Sequence, residues 1–269
     1  EDFIPYYCKD EVVPQEEVCN GIDDDCDGIT DWGEEMKDTD ILFIVDWSGS
    51  MSDEIDAVMI ALNQFAGEFS DEEVVKWAFL RGPVGIAPTY QTERLELQQD
   101  LVGFSDFLLS LSGMDASYGT MNTAYEMLLD AIYLSLHNIT SLLPAPISSL
   151  QWSGLAGAYP NDVVESAPPL QNFKINWRSG ADRIIIVFSD EYPQSYLEPE
   201  ITSPDVEQAL SGTPQLKLYT FSRTSNKNNW EVLADAGNGK WFKLTNNPTE
   251  MYASLMEILD EICKGGPSE

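Results

Sequence analysis

Positive charge is scarce in this chain: Lys and Arg number 14 against 46 Asp and Glu, a formal net charge of -32 over 269 residues. Such an excess of acid repels phosphate backbones and anionic membranes alike, which argues against nucleic acid as a partner. Histidine is reduced to His137. One imidazole and four cysteines without a CxxC pair (Cys8, Cys19, Cys26, Cys263) do not make a usual zinc site, so the thiols read as disulfides and the compartment as oxidising. No apolar run reaches the length of a membrane span. The first residue is Glu1 rather than Met, which reads as a processed or excised chain whose export signal is already gone.

The common catalytic signatures are missing too. Ser48 is not in a G-x-S-x-G elbow, and no thiol–histidine pair, Walker loop or G-x-G-x-x-G occurs. His137 ends a helical stripe, where a structural or C-terminal charge role is expected. Paired carboxylates abound, but in so acidic a chain their presence does not assign acid and base roles. The expectation is a protein that is not an enzyme.

What is present is the material of a folded domain. With 43% hydrophobic and 11% aromatic residues the chain has enough apolar surface for one main core. Residues 1–38 are acidic and Cys-bearing without an amphipathic period; from Asp40 the pattern changes to apolar runs alternating with helical stripes. The domain reading is therefore a small module over 1–38 and a large domain over 39–264. Ile41 to Val45 and Ile184 to Phe188 are apolar on both faces, as central parallel strands covered by helices must be. Leu216 to Phe221 and Trp241 to Leu244 read as further strands. Ile55, Val58, Met59, Leu62, Phe65, Ala66 and Phe69 repeat at the spacing of one buried helix face, with Ser52 placed to cap it and Asp53 and Glu54 suited to its positive end.

A second stripe runs through Met121, Ala124, Tyr125, Leu128 and Ile132, and a terminal one through Met251, Leu255, Ile258, Leu259 and Ile262, stopped by Gly265-Gly266-Pro267. Strands alternating with helices predict an α/β domain, doubly wound (Rossmann-like), with a mostly parallel sheet flanked by helices. Residues 138–180, with five prolines and no lasting period, read as an insertion.

Ligands of open α/β sheets gather at the carboxyl ends of the strands. The first apolar run is followed there by Asp46-Trp47-Ser48-Gly49-Ser50. One carboxylate and two hydroxyls at alternate positions of a turn eased by Gly49 can aim three oxygens at one hard cation. A second acidic stretch, Asp23 to Glu34, fits the calcium-loop pattern D-x-[DN]-x-[DN]-G-x5-E without a gap. Asp23, Asp25 and Asp27 would be alternate ligands, Gly28 the turn, Ile29 a carbonyl donor, Asp31 a water-bridged ligand and Glu34 the bidentate closer of a Ca²⁺ ion. The flanks do not support the paired helices of a true EF-hand, and in so small a segment chelation should unfold this module first.

The stretch DILFIVDWSGSMSDE resembles the start of von Willebrand factor A (vWA) domains, whose metal-ion-dependent adhesion site (MIDAS) opens with Asp-x-Ser-x-Ser. The resemblance covers about Asp40 to Cys263. It implies that Thr120, before the second helical stripe, and Asp190, after the Ile184 to Phe188 run, complete a site with Asp46, Ser48 and Ser50; Thr123 is the fallback for Thr120. It further implies that the two serines bind directly and the others partly through water. One position on Mg²⁺, or on Ca²⁺ or Mn²⁺, would stay open for an acidic residue of a protein partner. Trp47 and Glu191 depart from the pattern: Glu191 either folds back as an internal ligand or points to solvent, and Trp47 is either a contact anchor or a packed rim residue.

Glu17 to Asp31 resemble a Cys-bracketed metal-binding motif of bacterial surface proteins, which implies a disulfide Cys19–Cys26. A topological argument adds Cys8–Cys263, because the N-terminal module and the end of the terminal helix should share the pole opposite the adhesion site. The same argument sends the 138–180 insertion to that far pole, unless it wraps around the sheet. The loop after Asp190, with Tyr192 and Tyr196, is expected to meet a partner. The resulting expectation is an exported, secreted, cell-surface or periplasmic adhesion domain of bacterial type. Its rivals are a structural envelope or matrix component whose cations only rigidify the fold, and a metal-dependent hydrolase.

Overall fold

The computed structural model describes residues 38–67, 74–85, 93–112, 127–137, 151–152, 175–195, 197–213 and 215–263. The N-terminal module, with Cys8, Cys19, Cys26 and every residue of the calcium loop, lies outside the described residues, so the proposed boundary near residue 38 rests on sequence alone.

Two runs that are apolar on both faces form the centre of the sheet, β1 (Thr39–Asp46) and β5 (Asp182–Ser189). They pair in parallel with each other, and β2 (Val75–Gly85) and β7 (Leu216–Ser222) pair in parallel outside them. The order is β3-β2-β1-β5-β7-β8, with β8 (Trp241–Lys243) closing one edge and β3 (Glu93–Val102), the one antiparallel member, closing the other.

Alternation along the strands divides the core into two layers. Ile41, Phe43, Val45, Ile184, Ile186 and Phe188 face a layer made by α1 (Ser52–Gly67), α2 (Phe104–Ser112) and α6 (Pro248–Cys263). Leu42, Ile44, Ile185 and Val187 face the other, made by α3 (Leu128–His137), α4 (Ser203–Ser211) and α5 (Lys227–Ala236). Each such fully buried side chain contributes about 1.5–3 kcal/mol. Phe43 anchors the first layer, stacked 6.0 Å from Trp77 and edge-on to Phe65 at 6.3 Å. The turn from α5 into β8 runs so close over β7 that a Cβ on Gly239 would stand 2.0 Å from the Leu218 carbonyl oxygen, which only glycine allows.

The expected strands and helix stripes stand where predicted, with three differences. Ser52 is the first residue of α1 rather than its cap, because the turn Gly49–Met51 closes as a short 3-10 helix that runs straight into it. Leu128 and Ile132 of the second stripe are buried on α3, while the rest of that stripe and Phe69 lie outside the described residues. The insertion is not confined to the far pole. Its Gln151–Trp152 (β4) pairs antiparallel with Leu197–Glu198 (β6), in the segment that follows Asp190.

The insertion's return, residues 175–178, does lie at the far pole. There Arg178 donates from Nε to the fully buried Asp40 carboxylate at 2.6 Å and from Nη2 to the carbonyls of Thr39 and Val74. That staple ties the segment leading into β5 to the starts of β1 and β2.

A candidate metal centre at the carboxyl ends of β1 and β5

Asp46 is the last residue of β1, and the chain beyond it must turn, so its carboxylate is left at the sheet's end with nothing of its own strand to cover it. The Trp47 N–H still donates to the Gly82 carbonyl at 2.8 Å, which carries the β1–β2 ladder one residue further and fixes where the loop starts. One Asp46 oxygen accepts the Ser48 N–H at 2.9 Å; the other accepts the Ser189 hydroxyl at 2.7 Å. Asp46, Ser48 and Asp190 are buried, whereas Ser50 is exposed. Ser48 and Ser50 share a hydroxyl–hydroxyl hydrogen bond of 2.9 Å, and Ser50 donates to Asp190 Oδ1 at 3.1 Å. Oxygens from two separate turns thus form one continuous cluster, and among its four residues Ser50 is the exposed one.

The cluster carries more negative charge than its surroundings solvate. Burial, opposed by the hydrogen bonds from Ser189 and Ser48 and assisted by the neighbouring Asp190, pushes the Asp46 carboxyl up to about 7. All the donors are hard oxygens, two of them carboxylates, which is the set that suits Mg²⁺, Ca²⁺ or Mn²⁺ rather than a soft metal. The residues present therefore fit a divalent cation held by Asp46, Ser48, Ser50 and Asp190. Thr120 and its fallback Thr123 lie outside the described residues, as does Tyr196.

Asp190 is steadied from three sides. Its carbonyl accepts from Asn226 Nδ2 at 2.8 Å, and its Oδ2 pairs with the Arg223 guanidinium at 2.8 Å. The Glu191 carbonyl accepts from Trp230 Nε1 at 2.7 Å, while its N–H donates to Ser189 Oγ at 3.1 Å. Further along, Ser195 donates to the buried Asp130 at 2.5 Å and accepts from the Leu197 and Ile201 N–H groups, which ties this loop to α3.

The Glu191 side chain makes no hydrogen bond to the cluster among the described residues; partial burial and the nearby Asp190 push its carboxyl up, with Arg223 opposing. Of the two readings given to Trp47, the structure takes packing. The ring is 3% exposed and edge-on to Phe79 at 6.3 Å, which leaves almost no face for a partner and removes it as a contact anchor. Tyr192, by contrast, is 50% exposed. His137 donates from Nδ1 to the Tyr133 carbonyl at 2.8 Å at the end of α3, in keeping with a structural role.

Sequence reasoning overlooked Ser189, Glu54, Arg223 and Asn226 as parts of the site. Ser189 and Arg223 each stand at the carboxyl end of a strand that was anticipated, so the rule that singled out Asp46 also pointed at them. Glu54 and Asn226 carried no such signal.

No family profile matches the chain, and no curated protein matches it in sequence. Solved structures do match in fold. Proximal thread matrix protein 1 from the mussel byssus has a TM-score of 0.53 at 12% identity, over 84% of this chain and 48% of that one. The same protein with a zinc-occupied MIDAS motif scores 0.52 at 11% identity, over 85% and 46%. The pilus adhesin SpaC of Lactobacillus rhamnosus GG, in an open conformation, scores 0.54 at 11% identity, over 88% and 31%. This chain therefore spans less than half the length of each. The six-stranded, mostly parallel sheet with helices on both faces is a doubly wound α/β fold, and these solved structures share it.

Proposed function

We propose that this chain is an extracellular, metal-dependent protein-binding domain of the adhesion kind. The observation that carries the reading is the convergence of Asp46, Ser48, Ser50 and Asp190 on one oxygen cluster that is buried except at Ser50. A divalent cation held there would supply a Lewis-acidic coordination position to an incoming carboxylate. The protein's own part is to hold its oxygens before the partner arrives. Ser189 and the Ser48 N–H orient Asp46, Arg223 orients Asp190, and the Glu191 side chain does not tie up the cluster.

The function proposed is binding rather than catalysis, and the location proposed is secreted or surface, in line with the adhesin and matrix proteins that share the fold. Among the described residues no helix is long and apolar enough to cross a membrane. The N-terminal calcium loop and its Cys19–Cys26 bridge are proposed as a separate stabilising module. In the rival reading, a matrix component, the cation only rigidifies the fold; the burial that pushes the Asp46 carboxyl up gives that reading its support.

Capture of partners from the native cell envelope or matrix with Mg²⁺ present, repeated in EDTA and with Asp46→Asn, separates them. Capture that needs both Mg²⁺ and Asp46 supports adhesion. A melting temperature that depends on Mg²⁺ with no captured partner supports the structural role. Turnover of an ester or phosphoester that depends on the metal would overturn both.

A further inference from the structure

We infer that Arg223 is a second anchor for the partner, so that the metal face recognises an acidic segment with two carboxylates rather than a lone acidic side chain; this rests on the metal-dependent reading above. Arg223 is the first residue after β7, at the same carboxyl-end rim as Asp46 and Asp190. Its guanidinium is held by one nitrogen. Nη2 pairs with Asp190 Oδ2 at 2.8 Å and donates to Glu54 Oε1 at 3.1 Å, and these carboxylate side chains are 0% and 14% exposed. The Arg223 side chain itself is 45% exposed. The donors on Nε and Nη1 have no partner among the described residues, so a group already fixed in place keeps N–H bonds ready for an incoming acceptor.

Fixing matters, because a long flexible side chain ordinarily loses much of its interaction energy in becoming ordered, and Arg223 has already been ordered by Asp190 and Glu54. Charge points the same way. A chain of net charge -32 repels an acidic ligand at long range, so the site must win it with cations of its own. Arg223 flanks the cluster on the β7 side, and on the β2 side Arg81 lies over the Trp47 ring, 5.2 Å from its centroid. Since Arg223 acts on the oxygen of Asp190 that does not receive the Ser50 hydroxyl, a cation on the Ser50 side and a carboxylate on the Arg223 side do not compete for the same atom.

The test compares two capped peptides of glycine, one with a single Asp and one with two Asp separated by one Gly, titrated by calorimetry into the full chain with Mn²⁺ at fixed ionic strength. In the wild type the two-acid peptide should bind about tenfold tighter than the single-acid one. That ratio should fall to near one in Arg223→Gln and stand between in Arg223→Lys, which keeps the charge and loses the fixed plane. If Arg223 served only to hold Asp190, both peptides would weaken together and the ratio would survive. A wild-type ratio near one, or a ratio unchanged by Arg223→Gln, overturns the inference. Asp46→Asn should abolish binding of both peptides; if it does not, the metal-dependent reading itself fails, whatever Arg223 does.

Discussion

Replacing Asp46 by Asn is expected to stabilise the metal-free protein and to remove its response to metal. The two side chains have the same shape, so the introduced amide keeps an oxygen for the Ser48 N–H and turns its NH₂ toward Ser189, whose hydroxyl can accept instead of donate. What disappears is a charge that burial disfavours. Raising a carboxyl from 3.8 to about 7 on folding costs roughly 4 kcal/mol once both folded and unfolded forms would be ionised.

The sign follows from linkage. Because the folded value lies above the unfolded one, the penalty is absent below about pH 4, grows as pH rises to about 7, and is complete beyond it. In EDTA, therefore, Asp46→Asn should gain up to about 4 kcal/mol over wild type at pH 8 and nearly nothing at pH 4. Divalent cation at 100 times its Kd adds about 2.7 kcal/mol to the wild type and nothing at this site to the variant, which narrows the gap. Urea unfolding midpoints across pH, with and without Mg²⁺, measure it; any effect at the N-terminal loop is common to both proteins and cancels. A difference in EDTA that is flat from pH 4 to 8 would refute the argument that Asp46 is desolvated and charged against its neighbours.

Arg178→Ala should cost about 3–5 kcal/mol in urea unfolding, since it strands the buried Asp40 carboxylate, and Asp40→Asn should restore much of the loss. Phe43→Ala, which opens a cavity between Phe65, Trp77 and Phe107, should cost about 3–5 kcal/mol with no change in metal affinity by calorimetry. Asp205 accepts both the N–H and the hydroxyl of Thr202 at the start of α4, and these bonds hold its carboxyl below the usual range. Its contribution is thus complete above about pH 4 and lost as pH falls further, and Thr202→Ala, which removes the hydroxyl and keeps the backbone N–H donor, should cost about 1 kcal/mol and weaken that pH dependence without abolishing it. Peptide mapping without reduction should join Cys8 to Cys263; a bridge from Cys8 to Cys19 or Cys26 would disprove that pairing.

The central strands were legible because a strand covered on both faces must be apolar at every position, and Ile41 to Val45 and Ile184 to Phe188 are. β2 and β3 were not. Arg81, Gly82 and Pro83 interrupt the first where the pairing bulges, and the second alternates Gln and Glu with Leu because Leu95, Leu97 and Leu101 share the one face that packs on the α3 layer of the core. α4 buries only Val206 and Leu210, too few for a stripe, though Thr202 and Asp205 stand three apart in the spacing of a capping box. Trp47 was open to two readings because its exposure depends on Phe79 and Arg81, which reach it from the neighbouring strand.

From its sequence alone this protein declares the doubly wound class, the direction of its central strands and the local half of the proposed cation site. Asp46, Ser48 and Ser50 sit two apart on one turn, and short-range spacing is all that their proximity requires. The other half belongs to the tertiary structure. Asp190 meets Ser50 across 140 positions, Ser189 meets Asp46 across 143, and Arg223 meets Glu54 across 169. Only the parallel register of β1, β5 and β7 brings those strand ends to one rim, because parallel pairing aligns carboxyl ends whatever the length of chain between them.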